Sequence, residues 1–336
     1  MLNKYLYIVP FFTFLLLCSC EEKNISLEQT IEVVEPINFS NATNLNKNNQ
    51  IEIVTWNIKR FPQDNKDTAL YVRSLLETWN ADIYLFQEII NNNSLKNMID
   101  EMDNYSYVLS DKADFAIVYK SEYITYNSKK ELWDNTPSRN DGDSNYNNNA
   151  LYQFAGRPPM ENFLTWENNS KSIDLYLINV HYKCCGDDLY NNLDPVDETT
   201  RRHHASLLLT DYIINNRLTE NVIILGDFNN VGDQNTSNPA ISPFVDNINF
   251  NYGSHFKMMD LNILTGSEEL YSWQGWTSSY KPAHFDHIII TKPLFTYVDS
   301  SIIGVIDTPM ETGLSLTRVS NTISDHKPVF FSFTIN

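Results

Sequence analysis

The chain is 336 residues long, with 42% apolar and 13% aromatic side chains, enough to bury a substantial core, so a folded globular protein is expected. Its 42 Asp and Glu against 24 Lys and Arg give a net charge of -18, which opposes nonspecific adhesion to polyanions and excludes a basic nucleic-acid coat. An acidic enzyme can still act on phosphate esters when divalent cations and a few local basic groups offset the charge around its cleft.

Residues 1–20 differ from the rest. Lys4 stands in a short polar start, and residues 7–17 form an almost unbroken apolar run, of signal-peptide length and too short to span a bilayer comfortably. The run ends in Leu17-Cys18-Ser19-Cys20, which resembles a bacterial lipobox, where the Cys after a small residue is acylated and becomes the mature N-terminus. Cys20 is the expected lipidation site. An ordinary secretory signal is the alternative, and both readings export the protein. Glu21 and Glu22 resemble the surface-export signals of some bacterial lipoproteins, so the outer membrane or the cell surface is an expected location. Residues 21–49, rich in Asn and poor in large apolar side chains, read as a flexible tether.

Residues 50–336 show no repeat, composition shift or long linker and read as one catalytic domain. Strand character marks residues 51–56, 83–87, 115–119, 173–180, 222–225, 285–290 and 329–334. Val72, Leu75, Leu76 and Trp79 fall at helical spacing, as do Ala205, Leu208, Leu209, Tyr212 and Ile213. Strands interleaved with helices point to packed sheets covered by helices. Residues 127–149 and 187–197 read as surface loops. Arg201 and Arg202 read as the start of a solvated helix face. Cys184 and Cys185, the two cysteines of the domain, read as an oxidised vicinal pair or two inert thiols rather than a metal or redox site.

Polar residues stand at the ends of these strands: Asn57 after 51–56, Glu88 after 83–87, His181 after 173–180, and Asp227 with Asn229 after 222–225. Asp286 lies near the start of 285–290, and Ser324-Asp325-His326 precedes the last strand. A sheet fixes the backbone at such positions while the loop leaves the side chain free to react. Singly, each has a structural explanation as a turn residue or a hydrogen-bonded histidine. Together they supply carboxylates for a hard cation, two histidines and amide donors, the inventory of metal-assisted phosphoryl hydrolysis.

Thr55-Trp56-Asn57-Ile58, Leu85-Phe86-Gln87-Glu88, Asn179-Val180-His181, Gly226-Asp227-Phe228-Asn229, Phe285-Asp286-His287-Ile288 and Ser324-Asp325-His326-Lys327-Pro328 resemble, in order, the motifs of the endonuclease/exonuclease/phosphatase superfamily. The resemblance implies an α+β fold, a four-layer α/β/β/α sandwich of two packed mixed sheets flanked by helices, with the site at one end. It assigns Glu88, with Asn57 and Asp325, to Mg2+ or Mn2+, with a structural Ca2+ as a further candidate. It also assigns Asp227 to the attacking water, Asn229 to water or phosphate oxygens, and His181 and His326 to the scissile phosphate. Asp286 would orient a histidine or complete the metal site. Gly156-Arg157-Pro158-Pro159 resembles the Arg-x-Pro segment of secreted deoxyribonuclease-like members, which places Arg157 on phosphate. Lys59, Arg60 and Lys183 would add positive potential.

Within the superfamily the segments around Glu88, Arg157 and Asp286 look most like the deoxyribonuclease I branch and bacterial extracellular nucleases, which implies nucleic acid as substrate and, by analogy, a monomer. Two departures stand out. Asp114 occupies the region where that branch has a Glu supporting a catalytic histidine, and Ile90 stands where it has a minor-groove Arg. A sphingomyelinase-like or other small phosphoester hydrolase, and a catalytically silent binding module, are the alternatives; apolar exposed loop tips would favour the former.

Overall fold

Side-chain alternation along the strands sets the architecture. In β1 (Gln50–Phe61), Ile51 and Ile53 join one apolar cluster while Val54, Trp56 and Ile58 join another. A strand with a period of two can only do this if both its faces are covered. The same split recurs in β2 (Ile83–Ile89), where Ile83 and Leu85 oppose Tyr84 and Phe86. It recurs in β8 (Val222–Asp227), where Ile223 and Leu225 oppose Val222 and Ile224.

The computed structural model describes residues 37–335 except 40, 41, 48, 64, 136–149, 187, 188, 247–253 and 276–280. Residues 1–36, with the signal segment, Cys20 and the first part of the tether, lie outside the described residues. The other strands are β3 (Tyr105–Leu109), β4 (Phe115–Lys120), β5 (Ile124–Glu131), β6 (Met160–Asn168), β7 (Lys171–His181), β9 (Phe256–Met258), β10 (Asp286–Thr291), β11 (Ile302–Val305) and β12 (Val329–Thr334). They form two six-stranded sheets, ordered β11-β12-β1-β2-β4-β3 and β5-β6-β7-β8-β10-β9. Both are mixed: β1 pairs in parallel with β2 and β7 with β8, while the other ladders are antiparallel.

Three apolar layers hold the sandwich. Ile51, Leu85, Ile117, Leu177, Leu225, Ile288 and Phe331 lie between the sheets; each such side chain contributes about 1.5–3 kcal/mol on burial. Outside the first sheet pack α1 (Asn65–Trp79) and α2 (Asn92–Asp100), through Val72, Leu75, Leu76, Leu95 and Ile99. The short α3 (Ala150–Gln153) and the long α4 (Glu198–Asn216) cover the second sheet, with Ala205, Leu208, Leu209 and Ile213 inward. The order is therefore helix, sheet, sheet, helix. The start of α4 is set by Asp197, whose side chain accepts from Thr200 N at 2.6 Å, a cap worth about 1 kcal/mol.

Several expectations change. Residues 37–39 and 42–47 do not behave as tether: Phe39 and Leu45 are buried against α1, and Leu45 N donates to Trp79 O at 2.7 Å. Two large apolar side chains among many asparagines suffice to tie the segment down. Residues 127–131 belong to β5, an edge strand with one exposed face, so its polar composition mimics a loop. Residues 136–149 lie outside the described residues, while 189–197 carry no strand. Arg201 and Arg202 are buried, not solvated: Arg202 donates to the carbonyls of Lys183 and Cys185 at 2.9 and 2.8 Å, and Arg201 stacks on Tyr152 at 3.9 Å. Cys184 and Cys185 are free, exposed thiols with Sγ atoms 2.9 Å apart.

Candidate active site

The inward faces of the strands run from apolar to polar along their length. Beyond the apolar layer comes a buried amide network, in which Gln87 Nε2 donates to Asn179 Oδ1 at 2.7 Å and Thr55 Oγ1 at 3.1 Å, and Asn179 Nδ2 donates to Phe86 O at 2.9 Å. One step further along the same faces stand Asn57, His181, Asp227 and Asp286. The ladders place His181 opposite Asp227 and Asp227 opposite Asp286, so three adjacent strands present one imidazole and two carboxylates in a row. Gly226 makes that row possible: a Cβ there would lie 2.0 Å from Val180 O, and its φ of +139° disfavours any side chain.

The other sheet supplies the opposing wall. Asn57 Nδ2 donates to Glu88 Oε1 at 3.1 Å and across the gap to Asp227 Oδ2 at 3.0 Å. By alternation Glu88 belongs on the helix side of β2, but its φ of +65° turns it back toward the site, a local strain of the kind found where function demands a position. Arg60 N then holds Glu88 Oε2 at 2.9 Å. His326 arrives from the segment before β12, fixed by Ser324 Oγ on its N–H at 3.0 Å and by Trp56 Nε1 on its carbonyl at 2.9 Å. Its Nδ1 meets Asp286 Oδ2 at 2.7 Å, and its Nε2 lies 3.9 Å from Asp227 Oδ2. His181 Nε2 lies 3.6 Å from the same Asp227 oxygen and 4.0 Å from Glu88 Oε1.

Electrostatics separate the two histidines. Burial, then the cationic Arg157 and His326, push His181 well below its ordinary range. Its Nδ1 is buried without a hydrogen-bond partner among the described residues, which suits a neutral ring carrying its proton on Nε2. Burial also works against charge on His326, yet Asp286 and then Asp227 lift it to about 10. Asp227 is raised to about 7, chiefly by burial and further by Asp286, with the His326 imidazolium opposing.

The remaining predicted residues fall as follows. Asn229 Nδ2 donates to Tyr182 O at 3.2 Å, and its backbone N–H holds Asp227 Oδ1 at 2.8 Å. Arg157 does not point freely into the cleft. Its Nε and Nη2 donate to the carbonyls of His181 and Tyr182 at 3.2 and 2.6 Å, and burial lowers its pKa while Asp227 and Glu88 oppose that. Asp325 pairs with Lys59 at 3.2 Å. Lys183 lies 3.9 Å from Glu198. Asp114 makes no hydrogen bond to His181; its carbonyl receives Ile89 N at 3.0 Å.

Among the described residues, two groups of acidic and imidazole side chains are close enough to hold a metal ion: Asp227 with Asp286 and His326, and Asp260 with His284 and His287. In the second, the Ser272 N–H points to His284 Nδ1 at 3.3 Å. A ring nitrogen that accepts a hydrogen bond carries no proton of its own, so in the neutral ring His284 Nε2 carries the hydrogen toward Asp260 and has no lone pair for a cation. At the first site, Glu88, Asp227 and Asp286 crowd three carboxylates beside one imidazolium, a donor set that suits a hard oxygen-seeking cation at Glu88. Asn57 now turns its nitrogen to the carboxylates while its oxygen accepts from Lys59 N at 3.0 Å; that oxygen has a second lone pair.

The model of the Endonuclease/Exonuclease/phosphatase family matches residues 54–326, which spans both walls of this site. The chain belongs to that family. It is accordingly a hydrolase of the endonuclease/exonuclease/phosphatase superfamily. Among solved structures it is similar to D. rerio TDP2 complexed with a single-strand DNA product, at 14% identity and a TM-score of 0.58 over 85% of this chain and 99% of that one. A Bacteroides vulgatus endonuclease/exonuclease/phosphatase gives 11% identity and a TM-score of 0.54 over 85% and 99% of the two chains. A Bacteroides thetaiotaomicron mannosyl-6-phosphatase gives 12% and 0.50 over 85% and 100%. At such identities the likeness concerns the fold. No match was found among curated proteins.

Sequence reasoning missed Asp260, His284, Ser272 and the Gln87–Asn179 network. His284 and His287 were visible only as residues beside Asp286, and nothing in the sequence links them to Asp260.

Proposed function

We propose that this superfamily member is a divalent-metal-dependent phosphodiesterase, exported and lipid-anchored, that cleaves nucleic acid as a monomer. The observation that carries the reading is the meeting of Glu88 and Asn57 from one sheet with Asp227, His181 and the Asp286–His326 pair across the gap. Glu88, with Asn57 turned to offer its oxygen, would hold Mg2+ or Mn2+. The ion supplies charge neutralisation on the phosphate oxygens and at the leaving oxygen.

The protein's own groups divide the remaining work. Asp227, poised near neutrality, orients the attacking water and takes its proton. The His326 imidazolium, held by Asp286, pairs with a phosphate oxygen and can release a proton to the leaving group. Neutral His181 donates from Nε2 to a second phosphate oxygen. Arg157 acts from behind, fixing the backbone of His181 and Tyr182 and adding positive potential. The two departures bear on the nucleic acid chosen: Ile90, 52% exposed where the deoxyribonuclease I branch has an arginine, favours single strands or RNA over a minor groove.

A second reading has its own support. The loop that leaves β7 exposes Leu189, Tyr190, Leu193 and Val196, with Leu193 at 89%, and its acidic side chains offer no attraction to a polyanion. Such a tip suits an apolar or zwitterionic surface, and hence a sphingomyelinase-like hydrolase of lipid headgroups.

Both readings meet one experiment. Residues 36–336 are incubated with plasmid, single-stranded DNA, RNA, sphingomyelin and phosphoinositides, with Mg2+, with Mn2+ and with chelator. Cleavage of DNA or RNA that stops with chelator is expected; release of choline phosphate or inorganic phosphate alone would reject the nuclease. For the anchor, Cys20→Ala should move the full chain out of the membrane fraction, and unchanged partitioning would refute lipidation.

A further inference from the structure

Asp286 is held unusually. Its Oδ2 bonds His326 Nδ1 at 2.7 Å, and its Oδ1 is buried with no hydrogen-bond partner among the described residues. A carboxylate tied only to the group it orients cannot be placed by its own hydrogen bonds, so its position must come from the backbone that carries it.

That backbone is pinned from the face of the sheet away from the site. Asp260, completely buried, accepts from Ile288 N through Oδ1 at 3.0 Å. Its Oδ2 meets His284 Nε2 at 2.8 Å and His287 Nδ1 at 2.5 Å. One carboxylate thus grips the chain on both sides of Asp286. The two imidazoles pass the restraint onward. His284 Nδ1 takes the Ser272 N–H, and Ser272 Oγ accepts from Asp286 N at 3.2 Å. His287 Nε2 reaches Asn230 Oδ1 at 2.9 Å, next to Asn229. Although burial opposes it, His287 and His284 keep the Asp260 carboxyl well below its ordinary range, in keeping with a permanently ionised acceptor.

We propose that Asp260 is a positioning residue for the reaction, which through His284 and His287 holds the start of β10 so that Asp286 meets His326. Its kinetic consequence rests on the phosphodiesterase reading above; its geometric consequence does not. Removing the outer partners that orient metal-ligating side chains typically costs about 10- to 100-fold in activity, and a loss of that order is expected for Asp260.

The test measures turnover of bis(p-nitrophenyl) phosphate with Mg2+, together with the downfield proton NMR signal of His326 Nδ1–H, assigned by its loss in His326→Gln. Asp260→Asn replaces one acceptor oxygen by an amide N–H, which must face either the Ile288 N–H or the two ring N–H donors, and should lower kcat by about 10- to 100-fold with KM unchanged, and displace the signal. His284→Leu should do the same. His284→Gln should restore both, since its amide nitrogen can face Asp260 while its oxygen takes the Ser272 N–H. A native signal and native kcat in Asp260→Asn or His284→Leu would overturn the proposal, as would failure of His284→Gln to differ from His284→Leu. Should Asp260→Asn fail to fold, the two His284 variants decide. Absence of turnover by the unaltered protein would reject the functional reading, while the NMR comparison would still judge the brace.

Discussion

At the scale of single residues, Asp227 and His326 are both displaced from their ordinary titration ranges, in directions that leave one available as a base and the other as an acid. On the proposed mechanism activity needs Asp227 ionised, so it should rise as pH passes about 7, and His326 protonated, so it should fall as pH passes about 10. A pH profile of kcat/KM should therefore be bell-shaped with its maximum on the alkaline side of neutrality. The two limbs belong to the coupled pair rather than to either group alone. A maximum below pH 6 would contradict the assignment. Glu88→Gln and His326→Ala should each lower kcat by about 100-fold or more, with circular dichroism and melting unchanged. Asp227 and Glu88 were legible because each sits where an apolar run stops, and His326 because it stands just before one; a rigid strand end is a readable feature. Arg201, Arg202 and Asp260 were not legible. A buried cation on carbonyls and a buried carboxylate on two imidazoles depend on partners from distant segments, and no local pattern announces them.

At the scale of elements, strands buried on both faces were readable as apolar runs, whereas β5, at a sheet edge, was hidden by its exposed polar face. β6 buries Met160, Asn162, Leu164 and Trp166 on one face, but the polar Asn162 among them and the apolar Phe163 on the other face blur its period of two. The close passage of β8 along β7 depends on one position: Gly226→Ala drives a methyl into Val180 O. It should cost about 2 kcal/mol or more by urea denaturation, with activity falling alongside. At the opposite end of β1, Glu52 lies buried beside Asp82, and burial together with that neighbour raises its carboxyl to about 9. Since the folded chain binds this proton more tightly than the unfolded one, stability is fully present below about pH 4.5 and declines as pH rises through about 9. Glu52→Gln, which imitates the protonated carboxyl, should flatten the fall in melting temperature between pH 5 and 9. A slope equal to that of the unaltered protein would place the titration elsewhere.

For the whole molecule, the four-layer order followed from strands alternating with amphipathic helices, but the N-terminal limit of the folded body did not. Composition put it near residue 50, whereas among the described residues the ties to α1 already begin at Ile37, whose N–H donates to Ser74 Oγ at 2.7 Å. A form lacking residues 1–36 sets the reference melting temperature. Removing residues 1–48 takes away Phe39 and Leu45 from the face of α1, at about 1.5–3 kcal/mol each, and should lower it by several degrees. Equal melting of the two forms would show that those side chains add nothing. The path of the chain has a wider consequence. β5 through β10 form one sheet without interruption, while the other is assembled from β1 to β4 and from β11 and β12 after the chain returns. On the proposed site, catalytic competence would therefore read out the mating of two slabs: pressure or mild denaturant that parts them along their common plane should silence the protein while each slab still keeps its strands.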